Sequence, residues 1–414
     1  MFMKSKAQSI YCFLFLIVIL WSVNLAVAQP STTLIKSETT PAKNVKVFDA
    51  LWSKVNTHYF DPKFNGVDWA RMREIYRPQA EKAEDKNALL FLLRQMLGEL
   101  KTSHVQVWIN VSKRQLNRKI GGNFDSKRDF ILLSAGFETK TIAGQHVVSN
   151  VENNTPAKIA GIEPGWTMIA VNDVPVTNRS LTGVLELFEG EKIDYRFLNN
   201  KSDEVSLTLE SVFFVRKSSR VARSLEGGAI GYIKFDGFTS GVADWMKQEI
   251  VKFKQAKAII VDLRDNGGGR IKELKNTLSP FFAKEVEFGT FVKRSGKISE
   301  KAVKGSGDNV FAGKVIVLTN ENSVSSSEIF SLIMQENNRA QIVGTKSRGA
   351  VLISRNLDLP EYFALRVAFF DYISPKGMRL EGVGVKPDVE VDLTIEDILA
   401  GRDSVLERAI KISE

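Results

Sequence analysis

The 414-residue chain contains one cysteine and three histidines. That excludes a disulfide scaffold, a cysteine zinc site and thioredoxin-like redox chemistry, and leaves little for a histidine-rich metal centre. Clustered basic charge is also missing. The formal charge is +9, yet no run of five Lys or Arg occurs, so a nucleic-acid-binding arm has no footprint. No G-x-S-x-G elbow, H-E-x-x-H, Walker A or strand-linked G-x-G-x-x-G is found, which sets aside lipase-like hydrolases, zincins and nucleotide enzymes. Beyond the first 28 residues no stretch approaches the roughly 18 apolar residues of a membrane span.

What is present is ordinary for a globular protein, with 43% hydrophobic and 25% charged residues. At about 100–200 residues per domain the length suits two or three domains. Residues 1–28 read as a cleavable export signal. Lys4 and Lys6 precede the apolar run 11–20, and Ala26-Val27-Ala28 supplies a small-x-small cleavage site before Gln29. Cys12 lies inside this signal, so the mature protein is expected to be exported, free of cysteine and without a stable membrane span.

Residues 29–44 are polar, rich in Ser and Thr, and read as a linker. Residues 45–118 follow as a helical region. Val47, Leu51, Trp52, Val55 and Tyr59 recur at helical spacing, and Leu89, Leu92, Leu93, Met96, Leu97 and Leu100 do so more strongly. Residues 119–212 change character to short β-rich runs at 130–133, 146–151, 167–171, 195–198 and 205–209. From 213 to 399 strands at 229–235, 258–263, 314–319 and 341–344 alternate with helices at 243–253 and 328–335. That alternation predicts a largely parallel α/β sheet. Residues 400–414 read as a tail.

Two loops leave buried strand ends of that sheet, where ligands bind in open α/β folds. In Asn320-Glu-Asn-Ser-Val-Ser-Ser-Ser-Glu328 a serine would meet the unpaired N–H groups of a helix start, a natural oxyanion site. A capping box, Ser325-x-x-Glu328, accounts equally well for the same residues. In Asp262-Leu-Arg-Asp-Asn-Gly-Gly-Gly269 successive glycines let backbone N–H groups approach a ligand, or simply make a flexible turn. A serine nucleophile needs a base. His146 opens a strand and His58 closes a helix, positions that packing explains. His104 follows Ser103 at a helix end, where a hydroxyl can orient an imidazole.

The order of export signal, helical region, β module, Leu263-Arg-Asp-Asn-Gly-Gly-Gly269 and Ser323-Val-Ser-Ser-Ser-Glu328 resembles the carboxyl-terminal processing (tail-specific) peptidase superfamily, serine peptidase family S41, over about residues 45–395. The resemblance implies an α/β catalytic core of the ClpP/crotonase type with a mostly parallel sheet, an N-terminal helical region and an inserted PDZ-like β module. It implies Ser325 as nucleophile, Ser326, Gly267 and Gly268 as oxyanion donors, and Ala135-Gly136-Phe137 as the loop that binds a peptide carboxylate. The family's lysine base is not carried over, because Ala350 follows Gly349 and Ser354 stands at the family's Gln position. Leu97-Gly-Glu-Leu-Lys-Thr-Ser-His104 is similar instead to the tricorn branch, which implies His104 as base, with Ser103 and Glu381 completing a tetrad.

The expected activity is hydrolysis of peptide bonds in proteins or peptides, with their C-termini as a candidate point of recognition and with no cofactor, metal or nucleic acid. The alternatives are an inactive peptide-binding protein on a peptidase scaffold, a displaced Ser–Lys dyad using Lys346, and an esterase for small substrates. A histidine with an ordinary pKa of about 6.5 predicts activity rising through roughly pH 6–7. A lysine base predicts a limb well above pH 8.

Overall fold

The computed structural model describes residues 39–110, 130–176, 189–299 and 302–414. The export signal lies outside them. Its first helix, Pro41–His58, begins inside the stretch expected to be linker. Proline at the first helical position carries no N–H to lose, and the Thr40 hydroxyl accepts from Lys43 N–H, so the helix starts there. Helices Trp69–Glu81 and Lys86–Gly98 follow, capped by Asp68 and Asp85. Leu89, Leu93, Met96 and Leu97 of the third helix are buried with Val47, Phe48, Leu51 and Val55 of the first.

That helical layer is completed from the far end of the chain. Leu352, Phe363, Leu365 and Val367 share its core. The strand Phe363–Ile373 pairs with Gln106–Ile109 and Ile353–Asp358 on either side, and its last residues pair with Thr290–Lys293. Through this sheet the segment just after the third helix is fixed beside residues some 260 positions later.

The second sheet has the order Arg220–Leu225, Ile230–Phe235, Ala258–Asp262, Lys314–Thr319, Gln341–Gly344, Val389–Glu390. The first pairing is antiparallel and the other four are parallel. Ala258–Asp262 is buried at every position, as expected for a strand covered on both faces. Helices Val242–Lys252, Ile271–Leu278 and Ser326–Glu336 cover one face, where Met246, Leu274, Phe330 and Ile333 meet Ile259, Val261 and Val317. The other face is covered by residues expected to be a tail. Helix Ser404–Ser413, capped by Asp403, buries Val405, Leu406 and Ala409 against Ile260, Ile316 and Val343. Its apolar residues fall on one side at helical spacing, which a 15-residue segment judged by position alone does not reveal.

Along the chain, between strands Gln106–Ile109 and Arg220–Leu225, lies an antiparallel module: Phe137–Ile142, Gln145–Val151, Thr167–Val171, Lys192–Leu198 and Glu204–Glu210, with a one-turn helix Pro156–Ile159. Val148, Trp166, Met168, Ile193, Tyr195 and Phe197 form its core. Phe137–Ile142 is an edge strand of it, with Glu204–Glu210 at the opposite edge. Among the described residues no helix is long and apolar enough to cross a membrane.

Candidate active site

Strand Lys314–Thr319 ends in the turn that carries Ser325, and helix Ser326–Glu336 starts immediately after it. Ser325 has φ +61° and ψ −114°, a conformation side chains other than glycine adopt only under constraint. The constraint is visible. Glu328 is fully buried, and its carboxylate accepts from Ser325 N–H (3.0 Å), Ser347 Oγ (2.6 Å), Gly349 N–H (2.6 Å) and Ala350 N–H (2.9 Å). Ser325 and Glu328 face each other as a capping box, and no hydrogen bond takes up the proton of Ser325 Oγ. The hydroxyl is left available. Burial raises the Glu328 pKa, and the four donors oppose that shift.

The glycine loop packs directly on this turn. A Cβ on Gly268 (φ +83°) would lie 2.7 Å from Ser325 Cβ and 3.0 Å from Ser326 N, so only glycine permits the approach. Asn266, fully buried, holds the two loops together. Its amide donates to Phe235 O (2.7 Å), its Oδ1 accepts from Ser327 Oγ (2.7 Å), and its backbone oxygen accepts from Val324 N–H (3.0 Å). The expected oxyanion donors differ in state. Ser326 N–H has no partner among the described residues, as first-turn N–H groups do. Gly268 N–H is instead taken by Asn266 Oδ1 at 2.9 Å, and Gly267 N–H by Asp236 O at 3.3 Å. Loop closure satisfies these donors internally, which sequence spacing does not predict. Of the three, Ser326 is thus the one donor free as it stands.

His104 is presented by an irregular turn. The chain bends through left-handed backbone at Lys101 and His104, held by Tyr59 Oη to Thr102 Oγ1 (3.1 Å) and Asn65 Nδ2 to Leu100 O (2.9 Å). Ser103 Oγ lies 2.7 Å from His104 Nδ1 and donates to Glu381 Oε2 at 2.9 Å. Since the single hydroxyl proton goes to the carboxylate, the Ser103 oxygen accepts from Nδ1–H. The tautomer follows: Nε2 carries the lone pair and can take a proton. Glu381, buried, also accepts from Ser103 N–H (2.8 Å) and Val351 N–H (2.9 Å). Residues 349–351 therefore join the halves, two bound to Glu328 behind Ser325 and one to Glu381 behind the histidine. His104 Nε2 makes no hydrogen bond to Ser325 Oγ here, and such bonds are often long without substrate.

Burial, and secondarily the charge of Arg366, hold the His104 pKa down at about 4. This corrects the expectation of a base titrating at pH 6–7. Lys346 is exposed on its loop. His58 stacks on Phe369 with ring centroids 5.0 Å apart. Glu328 and Asn266 were both legible as letters in the motifs, but only their burial and bonding reveal that they organise the site.

In the β module, Gly136 has φ +95°, and its N–H donates to Ser134 Oγ at 3.0 Å. Ala135 is buried, its oxygen accepting from Ala157 N–H, and the Phe137 ring packs edge-on against Tyr195 and Phe197. Among the described residues two polar contacts tie the module to the glycine and serine loops: Lys140 pairs with Asp265 at 3.2 Å, and Thr141 N–H donates to Glu321 at 3.4 Å.

Residues 229–391 match the model of peptidase family S41, and residues 41–98 match the tricorn protease C1 domain. The segment that carries Ser325 and the glycine loop thus matches a family of serine-type peptidases. A Staphylococcus epidermidis protein named "Probable CtpA-like serine protease" is 27% identical over 305 residues, covering 72% of this chain and 59% of that protein. The chain thus spans about three-fifths of the length of the curated relatives it matches. The photosystem II D1 C-terminal processing protease superposes with a TM-score of 0.56 at 21% identity, over 84% of this chain and 93% of that one. Mature CPAF gives a TM-score of 0.67 at 12% identity, over 90% and 96%. At these identities the two structures show a shared fold.

Proposed function

We propose that this chain is an exported serine endopeptidase working through a Ser–His acyl-enzyme mechanism. The observation that carries the reading is the bonded series Glu381–Ser103–His104, which fixes the imidazole with Nε2 free, joined through residues 349–351 to a strained Ser325 whose hydroxyl is uncommitted. Ser325 Oγ attacks the peptide carbonyl carbon and His104 Nε2 takes its proton. Glu381, acting through Ser103, stabilises the imidazolium that forms. The oxyanion meets Ser326 N–H, with Gly268 N–H as second donor once it leaves Asn266. His104 returns the proton to the leaving amine, and water then attacks the acyl-enzyme by the same route in reverse.

Export is part of this proposal and rests on residues 1–28, outside the described structure. So is the PDZ-like reading of the β module. Its edge strand Phe137–Ile142 suits strand addition by an extended peptide, and the turn at Ala135-Gly136-Phe137 suits capture of its carboxylate. Matched peptides with free and amidated C-termini, bound to the full chain, test that role, and equal affinities would remove it. The test of the peptidase reading is a fluorophosphonate probe with mass mapping of the label alongside hydrolysis of a protein substrate. Label on Ser325 with hydrolysis is expected. A chain that neither labels nor hydrolyses would instead be a peptide-binding protein on a peptidase scaffold, and label with ester but no peptide turnover would indicate an esterase.

A further inference from the structure

Arg366 lies at the centre of a three-stranded surface. The register sets Gln106 opposite it on one neighbouring strand and Asn356 on the other, so the three side chains share one face. Its Nε donates to Asn356 Oδ1 at 3.2 Å, and its guanidinium carbon stands 5.9 Å from the centre of the Trp108 ring. No ion pair reaches it from any acidic group among the described residues, and burial alone lowers its pKa. The strand Gln106–Ile109 starts two residues after His104, and the Arg366 charge acts on that imidazole.

A cation in this position works against the base, because catalysis requires His104 to become positive itself. A neutral side chain would serve the histidine better. A half-buried guanidinium with its donors turned to one acceptor and no counter-ion is suited to an anion that the protein does not supply. Carboxylates match it, offering two oxygens to the planar fork.

We propose that Arg366 is a substrate-recognition residue that binds a peptide carboxylate beside His104. This rests on the serine-peptidase reading. The carboxylate comes from a chain terminus or from an Asp or Glu side chain. When bound it supplies the missing counter-ion, so the substrate itself offsets the repulsion between Arg366 and the imidazolium.

Random decapeptide libraries with free or amidated C-termini, digested by the full chain and read by mass spectrometry, test this. Cleavage should be enriched about tenfold or more at a fixed distance from a carboxylate. Enrichment confined to the free-terminus library identifies the terminal carboxylate, and enrichment for Asp and Glu in both identifies the side chain. Arg366→Gln should abolish the ratio and Arg366→Lys should keep part of it. The ratio is the readout because misfolding lowers all cleavage alike. Cleavage without enrichment, or enrichment surviving in Arg366→Gln, overturns the proposal. Absence of any cleavage also overturns it, and fluorophosphonate labelling of Ser325 then tells whether the peptidase reading falls with it.

Discussion

Around Ser325 the polar side chains are buried and bonded: Ser323, Ser326, Ser327, Glu328 and Asn266 are all inaccessible to solvent. Around His104 the chain is half-exposed, turns through left-handed backbone, and hangs on Tyr59 and Asn65 from the helical layer. The proposed nucleophile is thus set by one sheet and its loops, while the proposed base is set by the meeting of two layers far apart in sequence. Rigid placement of a hydroxyl needs a dense local network. Placement of the histidine needs the strand Phe363–Ile373 to bring both layers together.

Removal of the nucleophile gives the largest expected effect. Ser325→Ala should lower turnover by about ten-thousandfold or more, at a stability cost of no more than about 1 kcal/mol for the lost N-cap side chain. Its neighbours sharpen the contrast. Ser323 Oγ donates to Leu263 O, and Ser327 Oγ is bonded to Asn266. Alanine at either should cost about 1–3 kcal/mol of stability, seen as a lower denaturation midpoint, with labelling of Ser325 retained. These two serines tie the serine turn to the glycine loop.

Breaking the other half comes next. His104→Ala should reduce kcat by about a hundredfold to ten-thousandfold, the usual share of a general base. Glu381→Gln should cost less, about tenfold to a hundredfold, because Ser103 stands between it and the imidazole; a directly bonded carboxylate is worth roughly ten-thousandfold. Steady-state kinetics on one protein substrate would rank them, and a Glu381→Gln loss equal to that of Ser325→Ala would mean the turn had collapsed. Lys346→Ala is the smallest expected effect, within about twofold, since the side chain is exposed.

The two halves were unequally legible in the sequence. Continuous apolar runs and a strand–turn–helix pattern pointed to the core sheet and to Ser325, because buried parallel strands leave that signature locally. His104 had only Ser103 beside it, and Glu381 only a loop, so resemblance to a family carried both. Their pairing depends on strand register across about 260 residues, which no local pattern encodes. The helix Ser404–Ser413 was missed for a similar reason: its apolar side has meaning only once the sheet it covers is known. The capping-box reading of Glu328 was correct as far as it went, and three further donors from residues 347–350 made it the support of the nucleophile turn.

The pH dependence of Ser325 labelling by a fluorophosphonate tests the pairing most directly, since it reads the base without any peptide substrate. A base must be neutral to accept the Ser325 proton, and the His104 pKa is depressed to about 4 by burial and Arg366. The labelling rate should therefore be level from pH 8 down to about 5 and fall as His104 takes up its proton near 4. His104→Ala should lose the rate at every pH, and Lys346→Ala should trace the wild-type curve. A rate that instead rises only above pH 8, survives in His104→Ala and vanishes in Lys346→Ala would contradict the histidine assignment.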